Sequence, residues 1–186
     1  MPETFYLPPP TISRTDYLVD GSDTRFRESI YAMVQSASRL LACRDTFGAE
    51  LKLTASQFAV LMGVAYRQGK TGVTIKDLAE HVALASTHVT TEVGRLTRKK
   101  LLVKRPNATD RRSVQVSLSP AGKKEVARVA SLVKAVNDVL FAGIDPDALE
   151  TARQVAQRLI RNSEDAMAEV RRHQRHASEK ANSASE

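Results

Sequence analysis

The chain has no tryptophan, a single cysteine and only 5% aromatic residues among its 186. One thiol, Cys43, excludes an intramolecular disulfide and every zinc site built on several cysteines, and a reducing cytosol is the expected setting. The scarcity of aromatics beside 42% apolar residues leaves a core of Leu, Val, Ala and Ile, a composition that favours helices packed on helices. Long apolar runs are lacking as well. The longest, Phe58 to Tyr66, falls far short of the roughly 20 residues a membrane span requires. Met1 to Pro10 has neither the basic start nor the apolar core of a signal peptide, so a soluble, cytoplasmic protein with no membrane partner is expected. Catalytic signatures are missing too: no glycine-rich phosphate loop, nucleophile elbow or two-histidine zinc motif occurs. Neither an enzyme nor a cofactor is expected. His173 and His176 share helical spacing but sit in a basic tail, and no metal site is assigned to them.

What the chain does have is positive charge in one place. The net charge is +7, and the stretch from Ser86 to Arg112 holds eight basic and two acidic residues, or +6 of it. Charge so localised suits a phosphate-binding face. Wound as a helix, Thr87 to Leu101 puts Val89, Val93 and Leu96 on one stripe and Thr87, Thr90, Thr91, Gly94, Arg95 and Arg98 on the other, with Glu92 to the side. A solvated helix usually carries Glu and Lys on its outer face. Short hydroxyls instead let a helix sink into the major groove, arginines reach base edges or phosphates, and an outward glycine fits close backbone approach.

The rest of the chain frames that helix. Residues 1–23 hold four of the seven prolines, with Phe5, Tyr6, Ile12, Tyr17 and Leu18 among them; this Pro-rich arm is either disordered or laid on a partner subunit. Phe26, Ile30, Met33, Val34, Ala37, Leu40 and Leu41 recur at helical spacing and predict a long amphipathic helix within 24–52. Thr54 with Gln57, and Thr74 with Asp77, are capping boxes that open two further helices. The second of these is short and is followed, after Ala83-Leu84-Ala85, by the helix with the odd outer face, which is helix-turn-helix geometry. Leu102 to Arg105 and Val114 to Leu118 are β-rich runs joined by turn chemistry, predicting a hairpin with a basic tip, or wing. Ser119-Pro120 and Asp145-Pro146 start two more amphipathic helices within 119–176, and 177–186 reads as a disordered tail.

The expected fold is therefore mainly α with a small β-hairpin: a winged helix-turn-helix over 53–118 with long flanking helices. Those helices most economically bury their apolar stripes against a second copy, which implies a homodimer reading a palindrome on double-stranded DNA. Thr87, His88, Thr90, Thr91 and Arg95 are the candidates for the major groove. Arg111 and Arg112 are those for the minor groove, and Arg98, Lys99 and Lys104 those for phosphates. A winged helix that binds protein, and non-specific architectural DNA binding, are the competing readings.

Leu78-Ala79-Glu80, the spacing from Leu84 through Val89 to Leu96, Asp110-Arg111-Arg112 and Leu118-Ser119-Pro120-Ala121-Gly122 together resemble the MarR family of bacterial transcription regulators, over about residues 53–125. The resemblance implies a dimeric winged helix, usually a repressor released by a small aromatic or phenolic effector or by oxidation. Carried over by position, it implies that Arg112 enters the minor groove and Asp110 holds the wing arginine. The sequence departs from the family at Ala83 and Lys100, where glycine is common, and has Gly94 where an acidic residue is frequent. An effector pocket is expected between the first helix, the second and the base of the winged unit, with Tyr31, Arg39 and Tyr66 as its polar groups. Cys43 is the one candidate for redox sensing, set against a plain packing role.

Overall fold

Four side chains of the types expected at helix starts open the helices. In the computed structural model, which describes residue 6 and residues 8–107 and 113–183, with side chains as far as residue 178, Thr54 Oγ1 accepts the Gln57 N–H at 3.3 Å and Thr74 Oγ1 that of Asp77 at 3.1 Å. Ser119 Oγ accepts the Gly122 N–H at 2.9 Å, and Asp145 Oδ1 accepts those of Asp147 and Ala148 at 2.9 and 3.1 Å. Each supplies an acceptor that the first helical turn lacks.

The chain falls into two compact units, Met1–Ala135 and Val136–Glu186. The first contains α1 (Thr24–Glu50), α2 (Ala55–Arg67), β1 (Val73–Thr74), α3 (Ile75–Val82), α4 (Ser86–Arg98), β2 (Leu102–Pro106), β3 (Val114–Leu118) and most of α5 (Pro120–Leu140). The hairpin pairs Leu102 with Leu118 through Pro106 with Val114. Its far edge carries a strand the sequence does not announce: β1 pairs Val73 with Val116 and Thr74 with Gln115, giving an antiparallel sheet in the order β1-β3-β2. The architecture is a mainly helical winged helix-turn-helix.

α2 is the centre of this unit. Its Val60, Leu61 and Val64 are fully buried, and Leu78 of α3, Val89, Val93 and Leu96 of α4, and Leu102 and Val116 of the sheet complete the core. Each such side chain contributes about 1.5–3 kcal/mol by leaving water. α1 is different: it buries Phe47 and Gly48 near its end, while Val34 and Leu41 of its apolar stripe are 62% and 49% exposed.

The turns around α4 use left-handed backbone without glycine. Ala83 (φ 54°) ends α3 and lets Leu84 N–H reach the Ala79 carbonyl; Lys100 (φ 60°) follows α4 and lets Leu101 N–H reach that of Leu96. Beyond Lys100 the chain is tightly fixed. Ser119 N–H donates to the Leu101 carbonyl at 3.0 Å, Ser119 Oγ donates to the Lys100 carbonyl at 2.6 Å, and a Cβ on Gly122 would stand 2.0 Å from the Leu101 oxygen. That contact is why glycine ends the Leu118-to-Gly122 motif. From the other side Leu118 N–H donates to Gln68 Oε1 at 2.8 Å.

The described part of the arm folds back on its own chain. Asp23, the residue before α1, is 2% exposed and leaves its own helix uncapped; its Oδ2 instead accepts Thr11 N–H at 2.6 Å and Thr11 Oγ1–H at 2.7 Å, while Oδ1 meets Arg27 at 2.9 Å. Tyr17 packs edge-on to Phe26 at 5.3 Å, with Arg14 over the Tyr17 ring. These contacts form an intrachain clasp between Thr11 and the start of α1. The bonds from Thr11, with the Arg27 charge behind them, hold the Asp23 carboxyl below its ordinary pKa.

In the second unit α6 (Pro146–Ser183) follows the turn at Gly143 (φ 75°). Ile144 and Leu149, on either side of its start, remain 49% and 46% exposed. The helix continues through 177–183, part of the stretch whose composition reads as disordered. Extending a formed helix needs no new nucleus, and Ala177, Glu179, Lys180 and Ala181 are good helix formers.

Two outcomes follow from these contacts. A carboxyl with a lowered native pKa stabilises fully above the unfolded Asp value of about 3.9 and loses its effect as pH falls through the lower native value. The arm is therefore expected to stay clasped through pH 5–8 and to open only in stronger acid. Asp23→Ala opens it at every pH, read as faster amide exchange over residues 11–22; equal exchange in the two proteins would count against the clasp. Ala83→Gly relieves left-handed strain of about 1–2 kcal/mol against a loss of about 0.4–1 kcal/mol through the unfolded chain, so a small net gain in urea stability is expected.

Candidate nucleic-acid interface

α3 and α4 are set against one another by the left-handed turn at Ala83 and by the buried residues Leu78, Val89 and Val93. This leaves one side of α4 to solvent. Thr87, Thr90, Thr91 and Arg98 are exposed there, His88 and Arg95 about half exposed, and a Cβ on Gly94 would meet nothing within 4 Å. The groove candidates on α4 thus share one open surface. Thr90 Oγ1 donates to the Ser86 carbonyl at 2.8 Å and Thr91 Oγ1 to that of Thr87 at 3.1 Å. With the hydroxyl protons committed to the helix, each threonine offers an acceptor and a methyl group, a set that suits base amino groups and the thymine methyl.

Glu92 is not off to the side. It is 2% exposed, and its Oε1 holds Arg95 Nη1 at 2.6 Å and lies 3.6 Å from His88 Nε2. The position was legible, since Glu92 stands three residues after Val89 and four before Leu96, the spacing of the buried stripe. Lys99, expected at phosphates, donates from Nζ to the Lys52 carbonyl at 3.1 Å and so ties the end of α4 to the turn between α1 and α2. Lys104 is exposed on the edge strand β2.

The base of the wing is closed by Asn107, whose N–H donates to the Ser113 carbonyl at 3.1 Å and whose Nδ2 donates to Ser113 Oγ at 2.8 Å. Asp110, Arg111 and Arg112 lie outside the described residues. Between the starts of α3 and α4 and this base is a cleft of about 540 Å³, lined by Thr74, Lys76, Asp77, Ser86, Thr90 and Ser113 among others. Asp77 and Thr74 occupy the start of α3. α4 begins after Ala85 without a side-chain cap, and Ser86 at its start lines the cleft.

The expected pocket residues are more scattered. Tyr31 on α1 and Tyr66 on α2 are 67% and 69% exposed and Arg39 is exposed on α1; none of the three lines the cleft. Cys43 is half-buried on α1. Among the described residues no three His, Cys, Asp or Glu side chains converge as metal ligands, and no helix is long and apolar enough to cross a membrane.

Residues 51–113 match the model of the MarR family. No curated protein sequence matches the chain. Solved structures share the fold. BpsR of Bordetella bronchiseptica, described with the regulation of its DNA binding by 6-hydroxynicotinic acid, is 23% identical and covers 71% of this chain and 98% of its own, with a TM-score of 0.56. A MarR-family transcriptional regulator from Silicibacter pomeroyi is 18% identical over 81% of this chain and 96% of its own, at 0.61. Wild-type MarR of E. coli in its apo form is 20% identical over 69% and 93%, at 0.53.

The open space at Gly94 yields a test with two signs. Gly94→Ala is expected to stabilise the fold by about 0.5–1 kcal/mol, as alanine does in a helix interior. If the α4 backbone approaches a partner closely, the same variant binds that partner more weakly. Denaturant midpoints and binding isotherms on one preparation separate the two, and a variant that is both more stable and equally tight would argue against close approach.

Proposed function

We propose, from the match of residues 51–113 to the model of the MarR family, that this chain is a homodimeric, sequence-specific DNA-binding transcription regulator, acting as a repressor released by a small aromatic effector. One observation carries the reading. The open face of α4 joins short hydroxyls, an unfilled glycine and arginines within a segment of net charge +6, and it is mounted on a fully packed core. In this reading Thr87, His88, Thr90, Thr91 and Arg95 meet base edges, Arg98, Lys99 and Lys104 meet phosphates, and Arg111 and Arg112 serve the minor groove with Asp110 behind them. Lys99 keeps two of its three donors when it holds the Lys52 carbonyl.

The exposed apolar residues of α1, and separately Leu159, Ile160 and Met167 of α6 at 51%, 70% and 54% exposure, support assembly with a second copy. A two-fold pair sets its reading helices about 34–36 Å apart, one turn of DNA. Control by an effector draws support from BpsR, whose DNA binding 6-hydroxynicotinic acid regulates. Tyr31, Arg39 and Tyr66 are proposed to contribute to such a site once further surface covers them.

Selection of duplexes from a random pool tests specificity, symmetry and spacing together. A palindrome with half-sites one helical turn apart is expected. Retention of every duplex alike, with affinity set by salt alone, would identify non-specific binding through counterion release, and retention of none would favour a protein partner. On the selected duplex Arg112→Ala is expected to cost about 1–3 kcal/mol, the scale of one specific contact. Unchanged affinity in a gel-shift titration removes the wing from the reading.

A further inference from the structure

The buried carboxylate of Glu92 is the one acidic group on the recognition helix, and its setting is unusual. α4 turns Val89, Val93 and Leu96 inward, and Glu92 shares that stripe at 2% exposure. Its Oε1 accepts from Arg95 Nη1 at 2.6 Å and lies 3.6 Å from His88 Nε2, while Oε2 is buried and has no hydrogen-bond partner among the described residues. A half-satisfied buried carboxylate stabilises a fold poorly, because an apolar side chain of the same size would avoid the desolvation cost. Its geometry does something else. It anchors one nitrogen of Arg95 from within the domain while half of the Arg95 side chain stays in solvent, leaving the other donors of the guanidinium fork outward. His88, one turn earlier, stands on the same flank.

We propose that Glu92 is a positioning residue for sequence readout: it fixes the orientation of Arg95 on one flank of the recognition helix before DNA arrives. The inference rests on the DNA-binding reading above. Removing rotamer freedom in advance lowers the ordering cost of binding. Charge alone predicts the opposite sign, since a carboxylate at a phosphate-facing surface weakens binding to every duplex and its removal would tighten all of them.

Glu92→Met separates these effects because it matches the length of the side chain and deletes the charge. The fold is expected to melt at the same temperature or higher. Affinity for the selected duplex is expected to fall about two- to tenfold, with affinity for an unrelated duplex unchanged or raised. In the Arg95→Met background the same change is expected to cost nothing further on the selected duplex. Should Glu92→Met not fold, Glu92→Gln, which keeps the shape and one acceptor, is expected to show a smaller loss of the same sign. A folded Glu92→Met or Glu92→Gln protein that binds the selected duplex as well as wild type, or better, overturns the inference and leaves the DNA reading standing. A wild-type protein that prefers no duplex overturns that reading and this inference with it.

Discussion

The backbone of Lys100 and Leu101 is where the reading helix, the wing and α5 are joined. Two carbonyls there accept from Ser119, one from its N–H and one from its hydroxyl, and Gly122 lies against the Leu101 oxygen with no room for a Cβ. Leu102 then enters the core as the first residue of β2, paired with Leu118. The angle at which α4 leaves the domain and the point at which the wing begins are thus set by a handful of backbone bonds over three residues of chain. Hydrogen bonds of this kind add only about 0.5–1.5 kcal/mol each. Their larger effect is geometric, because shifting any of the three elements leaves buried polar groups without partners.

Around that junction the basic face divides into side chains that are tied inward and side chains that are not. Glu92 holds Arg95, and the Lys52 carbonyl holds Lys99, so two of the positive charges on or beside α4 have partners within the domain. Thr90 and Thr91 spend their hydroxyl protons on their own helix and keep acceptors outward. A surface organised in this way brings few loose rotamers to a partner, and that suits discrimination between similar sequences better than simple charge attraction does.

Much of this was legible in the residues because it is local. Thr54, Thr74, Ser119 and Asp145 cap the helices they precede, and the hairpin strands start and end within a residue of the alternating runs. What the sequence concealed depends on distant partners. β1 is too short to show a period and exists through β3; the clasp on Asp23 depends on Thr11 folding back onto it; Lys99 looks like a free phosphate ligand until the Lys52 carbonyl is nearby. Glu92 is a different case: its spacing placed it legibly on the buried stripe, and only its charge argued for the surface. The candidate site was legible along α4, whereas its wing residues Asp110, Arg111 and Arg112 rest on sequence alone.

Two residues with positive φ, Ala83 and Lys100, bracket the reading helix, and neither is glycine. Strain of about 1–2 kcal/mol is carried at each, offset by the flanking hydrogen bonds, and a β-branched side chain at either position would add to it. Gly122, a few residues away in space, allows no side chain. A change of side chain at either border of α4 therefore costs local backbone strain alone, whereas any side chain at Gly122 displaces the joint that ties α4 to the wing and α5.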